Sequence, residues 1–170
     1  TYGMRELFRK FYLLISLTKY LVIITLDIIA ILPCLIIRLI SPWLIIRIQK
    51  LPASNFGDFA AFPALYYCKK KLKIDQPAKK CLDLVYFHHN LKVYNRQVAK
   101  IWKRKLNFLS GYLLDPISRV NKFIPRWKIH TIESLRIRER DVNNLFDKCK
   151  ILDFTNEEEI YGKEMLNKLG

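Results

Sequence analysis

From Tyr12 to Ile46 the chain is dominated by Leu, Ile and Val, and no other feature constrains its fold as much. Within this stretch, Leu21 to Ile37 reads LVIITLDIIAILPCLII. With its neighbours it reaches the ~20 apolar residues that a helix needs to cross a bilayer. It is too long for a signal-peptide core, and no small-residue cleavage site follows it. The alternative is a buried core helix, but a chain of 170 residues has too little other apolar surface to enclose such a run. Residues 1–46 are therefore expected to form a membrane anchor, helical from Tyr12 to Ile46.

Two residues complicate a plain span. Asp27 lies mid-segment, where a charge costs roughly 2.5–3.5 kcal/mol on insertion scales. Pro33 breaks the helix ladder, and Pro42 repeats the break. Three shapes fit: a tilted span kinked at Pro33, a re-entrant hairpin bent near Asp27 or Pro33, or a monotopic helix lying in the interface. Arg5, Arg9, Lys10 and Lys19 precede the run, while Arg38, Arg47 and Lys50 follow it. Basic flanks on both sides give no orienting asymmetry and favour the shapes that keep both ends cytoplasmic. The location expected is the cell membrane, with the soluble part on the cytoplasmic side.

The remainder is strongly basic. The chain carries 30 Lys and Arg against 15 Asp and Glu, a net charge of +15. Such an excess selects anionic partners: lipid headgroups, nucleic acid or phosphorylated substrates. Beside an anchor, membrane lipid is the simplest partner. Nucleic acid is not expected, because no recognition motif of interleaved aromatic and basic residues is present. Cys34, Cys68, Cys81 and Cys149 include no C-x-x-C pair and read as free thiols. The chain begins at Thr1 and closes on Leu169-Gly170 as a helix stops, so it is expected to be a piece of a longer protein.

Residues 47–170 alternate strand and helix signals. Ile45 to Ile48 is a β-branched run, and Leu51 to Phe59 is a loop of Pro, Ser, Asn and Gly. Ala60 to Lys71 is a helix. Leu82 to Phe87 is the clearest strand, and Ile129 to Ile132 is a possible third. Asn95 caps an amphipathic helix running to Leu106, Asp141 to Lys148 is a short helix, and Thr155 with Glu158 makes a capping box for the last one. The fold class is α/β: a membrane helix or re-entrant hairpin, then a partial, Rossmann-like doubly wound domain.

The loop Ser54-Asn55-Phe56-Gly57-Asp58 has the composition to bring backbone N–H groups and a helix N-terminus to a phosphate, or to be an ordinary turn. Asp58 is read as a cap of the following helix or as a general base. His88-His89 follow a strand end, where ligands bind in this fold class, but no spaced partners make a metal site and neither is given a catalytic role. The basic face from Arg96 to Lys105 is either a solvated surface or a phosphate- or headgroup-binding one. Glu157, Glu158 and Glu159 are explained by a helix dipole rather than by metal. No metal or cofactor is expected in this chain.

Four segments resemble the N-terminal half of a family of bacterial glycosyltransferases of surface-polysaccharide synthesis. They are Arg47 to Phe59, Asp83 to Phe87, Asn95-Arg96-Gln97 with Trp102-Lys103-Arg104, and Phe154-Thr155 with Glu157 to Glu159, Gly162 and Leu169-Gly170. The resemblance implies two Rossmann-like domains, the second lying beyond this chain. It also implies a nucleotide-sugar donor and a glycan or lipid-linked acceptor. Ser54, Asn55, Gly57, Asn95 and Arg96 would then bind substrate. Asp58, standing where the family commonly has His, would be the catalytic candidate. The chain alone is expected to be inactive. A non-catalytic, membrane-anchored protein binding anionic lipid through its basic surface is the rival reading.

Overall fold

The computed structural model describes all residues except 1, 54, 89–92, 137–140, 142–143, 150, 152 and 170. The described chain is mixed α/β and mostly helical. Helix α1 spans Tyr2–Ile40, and strand β1 (Ile45–Lys50) leads to α2 (Phe56–Lys71). Strand β2 (Cys81–Tyr86) is followed by α3 (Arg96–Lys105) and α4 (Gly111–Asn121). A 3-10 turn (Trp127–His130), α5 (Glu133–Arg136) and α6 (Asn156–Leu169) complete it.

β1 and β2 pair in parallel, with Ile45 opposite Cys81 and Lys50 opposite Tyr86. Val85 also bridges Phe108 in parallel, extending the pairing by one residue beyond β2. Alternation along the strands sends side chains to two faces. On one face Val85 joins Phe59 and Tyr66 of α2, Ala99 and Trp102 of α3, and Ile132. The Trp102 indole N–H donates to the Phe59 carbonyl at 3.1 Å, so the largest core side chain is also satisfied. On the other face Ile48 and Tyr86 meet Ala30 and Cys34 of α1 and Leu114 and Ile117 of α4. Helices therefore cover both faces of a small parallel sheet.

α1 corrects the expected anchor in two ways. It is one continuous helix through both Asp27 and Pro33, so the hairpin bent at either residue is not formed. It also stops at Ile40, because Ser41, Pro42 and Trp43 form a turn and Ile45 and Ile46 belong to β1. Thr18 and Thr25 satisfy their hydroxyls on the carbonyls of Leu14 and Leu21, which keeps those groups from needing water. Met4–Ile40 is long and apolar enough to cross a membrane, with a mean hydropathy of 2.7 over its window. Thirty-nine residues extend about 58 Å at 1.5 Å each, well beyond a hydrocarbon core of about 30 Å. The stripe Asp27, Ala30, Cys34, Ile37 and Arg38 packs on the domain, whereas Leu21, Ile28, Leu32, Leu35 and Leu39 stay exposed.

Two other expectations change. Residues 129–132 are not a strand: Trp127–His130 wind into a 3-10 turn after Arg126, whose φ of 64° starts the chain in the left-handed region. The expected helix from Asp141 to Lys148 falls partly outside the described residues, and Leu145 to Lys148 form turns. Asp141 nevertheless caps there, accepting from the N–H groups of Leu145 and Phe146. The capping box is present as expected: Glu158 accepts from the Thr155 N–H at 2.9 Å, and Thr155 Oγ1 accepts from the Glu158 N–H at 3.3 Å.

Candidate functional site

In a parallel sheet the strand ends that carry ligands are the carboxyl ends, because the loops there are free to vary over a rigid base. Lys50 ends β1 and opens into the 51–55 loop, while Tyr86 ends β2 and leads to Phe87 and His88. Two groups of side chains occupy this edge.

The first holds the residues anticipated from sequence. Asn55, rather than Asp58, caps α2: its Oδ1 accepts from the Gly57 N–H at 3.0 Å. Asp58 is half-buried in the first turn, where a carboxylate favours the helix dipole. Gly57 is not demanded by space, since an added Cβ would meet only Asn55 Oδ1, at 3.7 Å. Asn95 caps α3, accepting from the N–H groups of Gln97 and Val98. Arg96 is exposed on the first turn beyond it. The Tyr94 N–H donates to the Ala53 carbonyl at 2.8 Å, and the Phe56 and Tyr94 rings lie 5.8 Å apart. The fold thus brings Asn55, Gly57 and Asp58 beside Asn95 and Arg96. Ser54 and His89 lie outside the described residues. The basic face of α3 is partly neutralised, because Arg104 pairs with Glu158 and Lys105 with Asp153. Arg104 also draws the Glu158 carboxyl below its ordinary pKa.

The second group was not anticipated. Asp27 of α1 accepts from Arg119 of α4, with Nη2 at 2.7 Å and Nε at 3.2 Å. The same guanidinium binds Asp115 one turn earlier. Asp115 also accepts from the Tyr86 hydroxyl at 3.1 Å, and His88 Nε2 lies 4.0 Å from its other oxygen. The hydrogen bond to Asp27 raises the pKa of Arg119, and burial pushes the Tyr86 hydroxyl up. Asp27, an anomaly in an apolar helix, is therefore one end of a network reaching the carboxyl end of β2. An ionisable residue inside an apolar helix points to a partner from a neighbouring element, and this was the available signal. The partner, 92 residues away, gave no signal of its own.

His88, Asp115 and Arg119 line two adjoining cavities. One, of about 580 Å³, lies between α1 and α4 and adds Thr18, Lys19, Val22, Ile23, Leu26, Tyr112 and Pro116. The other, of about 460 Å³, lies over the strand ends and adds Gln49, Lys50, Tyr86, Ser118, Lys122, Trp127 and Thr131. Each is within the 300–1,000 Å³ usual for ligand pockets. The first has an apolar wall and the second a polar, cationic one. Among the described residues no group of three His, Cys, Asp or Glu side chains is placed to hold a metal ion. No family model, curated protein or solved structure matches the chain.

Proposed function

We propose that this chain is the membrane-anchored, acceptor-side half of a glycosyltransferase, and that a second Rossmann-like half supplies the nucleotide-sugar site. The observation that carries the reading is the pair of cavities at the carboxyl ends of two parallel strands, one of them walled by the apolar helix α1. A soluble-substrate enzyme gains nothing from a membrane-length helix as a wall of its site. An enzyme whose acceptor stays in the bilayer does. In this reading α1 is embedded, the basic domain rests on the cytoplasmic face, and the acceptor is a lipid-linked or surface glycan. Asp58, beside the α2 and α3 N-termini, is the candidate base. Its work as a base would rest on the closed, two-domain cleft.

The test uses membranes carrying this chain, radiolabelled nucleotide sugars and a total lipid extract, with and without the sequence that follows it in the reading frame. Label is expected in lipid only when both halves are present, with a loss of roughly 10²–10⁴-fold in Asp58→Asn. Turnover by this chain alone would overturn the assignment to an acceptor half. Absence of transfer with both halves present would overturn the transferase reading. It would leave the rival, a non-catalytic binder of anionic lipid, for which the net charge of +15 is the supporting observation.

A further inference from the structure

We infer that the two adjoining cavities are one bipartite site for a phosphate-headed lipid, with the phosphate over the strand ends and the chain along α1. The inference rests on the acceptor-side reading only for which edge of the sheet is functional.

The head cavity is built for an anion. Lys50 comes from the end of β1 and Lys122 from the end of α4. Neither ammonium has an ion-pair or hydrogen-bond partner among the described residues. Arg119 is clamped between Asp27 and Asp115, which fixes its plane but leaves it about a third exposed. Among the described residues Asp115 is the one carboxylate lining this cavity, and it is already engaged by Tyr86 and Arg119. Lys50, Lys122 and Arg119 stand against Asp115 and the neighbouring Asp27. A phosphate monoanion is matched by that excess of one positive charge. Trp127 and the Tyr86 hydroxyl complete the wall and leave room for a group beyond the phosphate.

The tail cavity is built for hydrocarbon. Val22, Ile23, Leu26 and Pro116 line it, and its wall is the face of α1 next to the lipid-exposed one. A chain can therefore enter sideways from a bilayer, without passing through water. Each methylene so buried leaves water, so a chain gives affinity that a free phosphate lacks. His88, Asp115 and Arg119 form the boundary shared by both cavities, which places the head-to-tail junction of the ligand there.

The experiment is native mass spectrometry of the full chain released from detergent, titrated with dodecyl phosphate, dodecanol and inorganic phosphate. One dodecyl phosphate should bind per chain, at least tenfold more tightly than dodecanol and than inorganic phosphate. Lys50→Gln with Lys122→Gln should weaken it tenfold or more. These are surface lysines, so the variant folds. Ile23→Trp, which fills the tail cavity, should also lower affinity. Equal binding of dodecanol overturns the phosphate half of the inference. Inorganic phosphate binding as tightly as dodecyl phosphate overturns the tail half, and an unaffected double lysine variant overturns the site. Lipid phosphate binding without sugar transfer in the two-half assay would keep this site and dismiss the transferase reading.

Discussion

Two charge networks lie on opposite faces of the same small sheet, and their chemistry is nearly identical. On the α2 face Arg47 and Asp83, directly opposite in the strand register, form a bidentate pair at 2.5 and 2.9 Å. The Tyr66 hydroxyl also donates to Asp83, and Lys70 lies 3.1 Å from it. On the α4 face Tyr86, Asp115, Arg119 and Asp27 repeat the trio of tyrosine, aspartate and arginine with one carboxylate more. The surroundings differ. Arg47 and Asp83 side chains are 8% and 2% exposed, with Arg47 and Tyr66 touching a smaller cavity of about 380 Å³, whereas Arg119 and Asp27 are 35% and 31% exposed and Arg119 borders both larger cavities. A closed, fully satisfied network fixes the register of two strands. An open one with spare cations beside it can still receive a ligand. Burial opposes the charge on Asp83, but hydrogen bonds from Arg47 and Tyr66 outweigh it and hold the carboxyl below its ordinary value.

The largest expected effect breaks the closed network. Asp83→Ala leaves the Arg47 guanidinium buried without its carboxylate, at a cost of about 3–5 kcal/mol. For a chain of this size that lowers Tm by roughly 6–20 °C, read by circular dichroism in detergent. Arg47→Met added to it should recover much of the loss, because no buried charge then remains. A loss below about 1 kcal/mol for the single variant would show that the two networks do not differ as described.

Arg119→Gln breaks the open network. Partial exposure screens its ion pairs, so the expected loss is about 1–2 kcal/mol, smaller than for Asp83. A double-mutant cycle with Asp27→Asn should give a coupling of about 0.5–1 kcal/mol, since the two groups share hydrogen bonds across the α1–α4 seam. Coupling near zero would mean that apolar packing at Ala30, Cys34 and Ile117, together with the Arg38–Asn121 hydrogen bond, holds α1 to the domain.

Acid separates the two faces further. Burial lowers the pKa of His130, and the Ile46 carbonyl, 2.7 Å from its Nδ1, opposes this only in part. The unfolded chain takes up a proton as pH falls through about 6.5, while the folded one still resists. Stability therefore declines from about pH 6.5 downward, until the folded ring titrates. Asp83 acts later. Its folded pKa is depressed, so its contribution is complete above about 3.9 and is lost as pH falls through the lower folded value. His130→Asn keeps a donor for Ile46 and should flatten the decline between about pH 7 and 5, while leaving the acid limb below about pH 4 in place.

Much of the frame was legible because its signals are local. The apolar run gave α1, the β-branched runs gave β1 and β2, and Asn95 and Thr155 announced their helices by capping chemistry. The third strand failed because Pro125 and Arg126 turn the chain before Trp127, and propensity at Ile129 to Ile132 cannot overrule that turn. Of the anticipated site residues, Asn55, Gly57, Asp58, Asn95 and Arg96 share one edge, yet Asn55 and Asn95 spend their side chains on caps. The cavities could not be read at all. They depend on Arg119 finding Asp27, and on Lys50 and Lys122 arriving from different elements. No spacing in the chain encodes those meetings.

The smallest effect on stability is expected at His88, and it sharpens the comparison most. The His88 side chain is 24% exposed and its ring lies 4.0 Å from Asp115 Oδ2, while Asp115 is already served by Tyr86 and Arg119. Partial exposure screens what the ring contributes, so His88→Ala should cost about 1 kcal/mol or less. No charged member of the closed network can be removed so lightly. Yet His88 borders both cavities, at the junction where head meets chain. Losing a donor to a charged phosphate is worth about 1.5–3 kcal/mol, so dodecyl phosphate should bind about tenfold or more weakly to His88→Ala. His88→Gln restores an N–H near the position of Nε2 and should recover most of that affinity. A purely structural histidine would show the reverse pattern: loss of Tm in both variants, and no recovery of binding by glutamine. A stable His88→Ala protein that binds dodecyl phosphate normally would remove His88 from the site and place the head group farther toward Lys50 and Lys122.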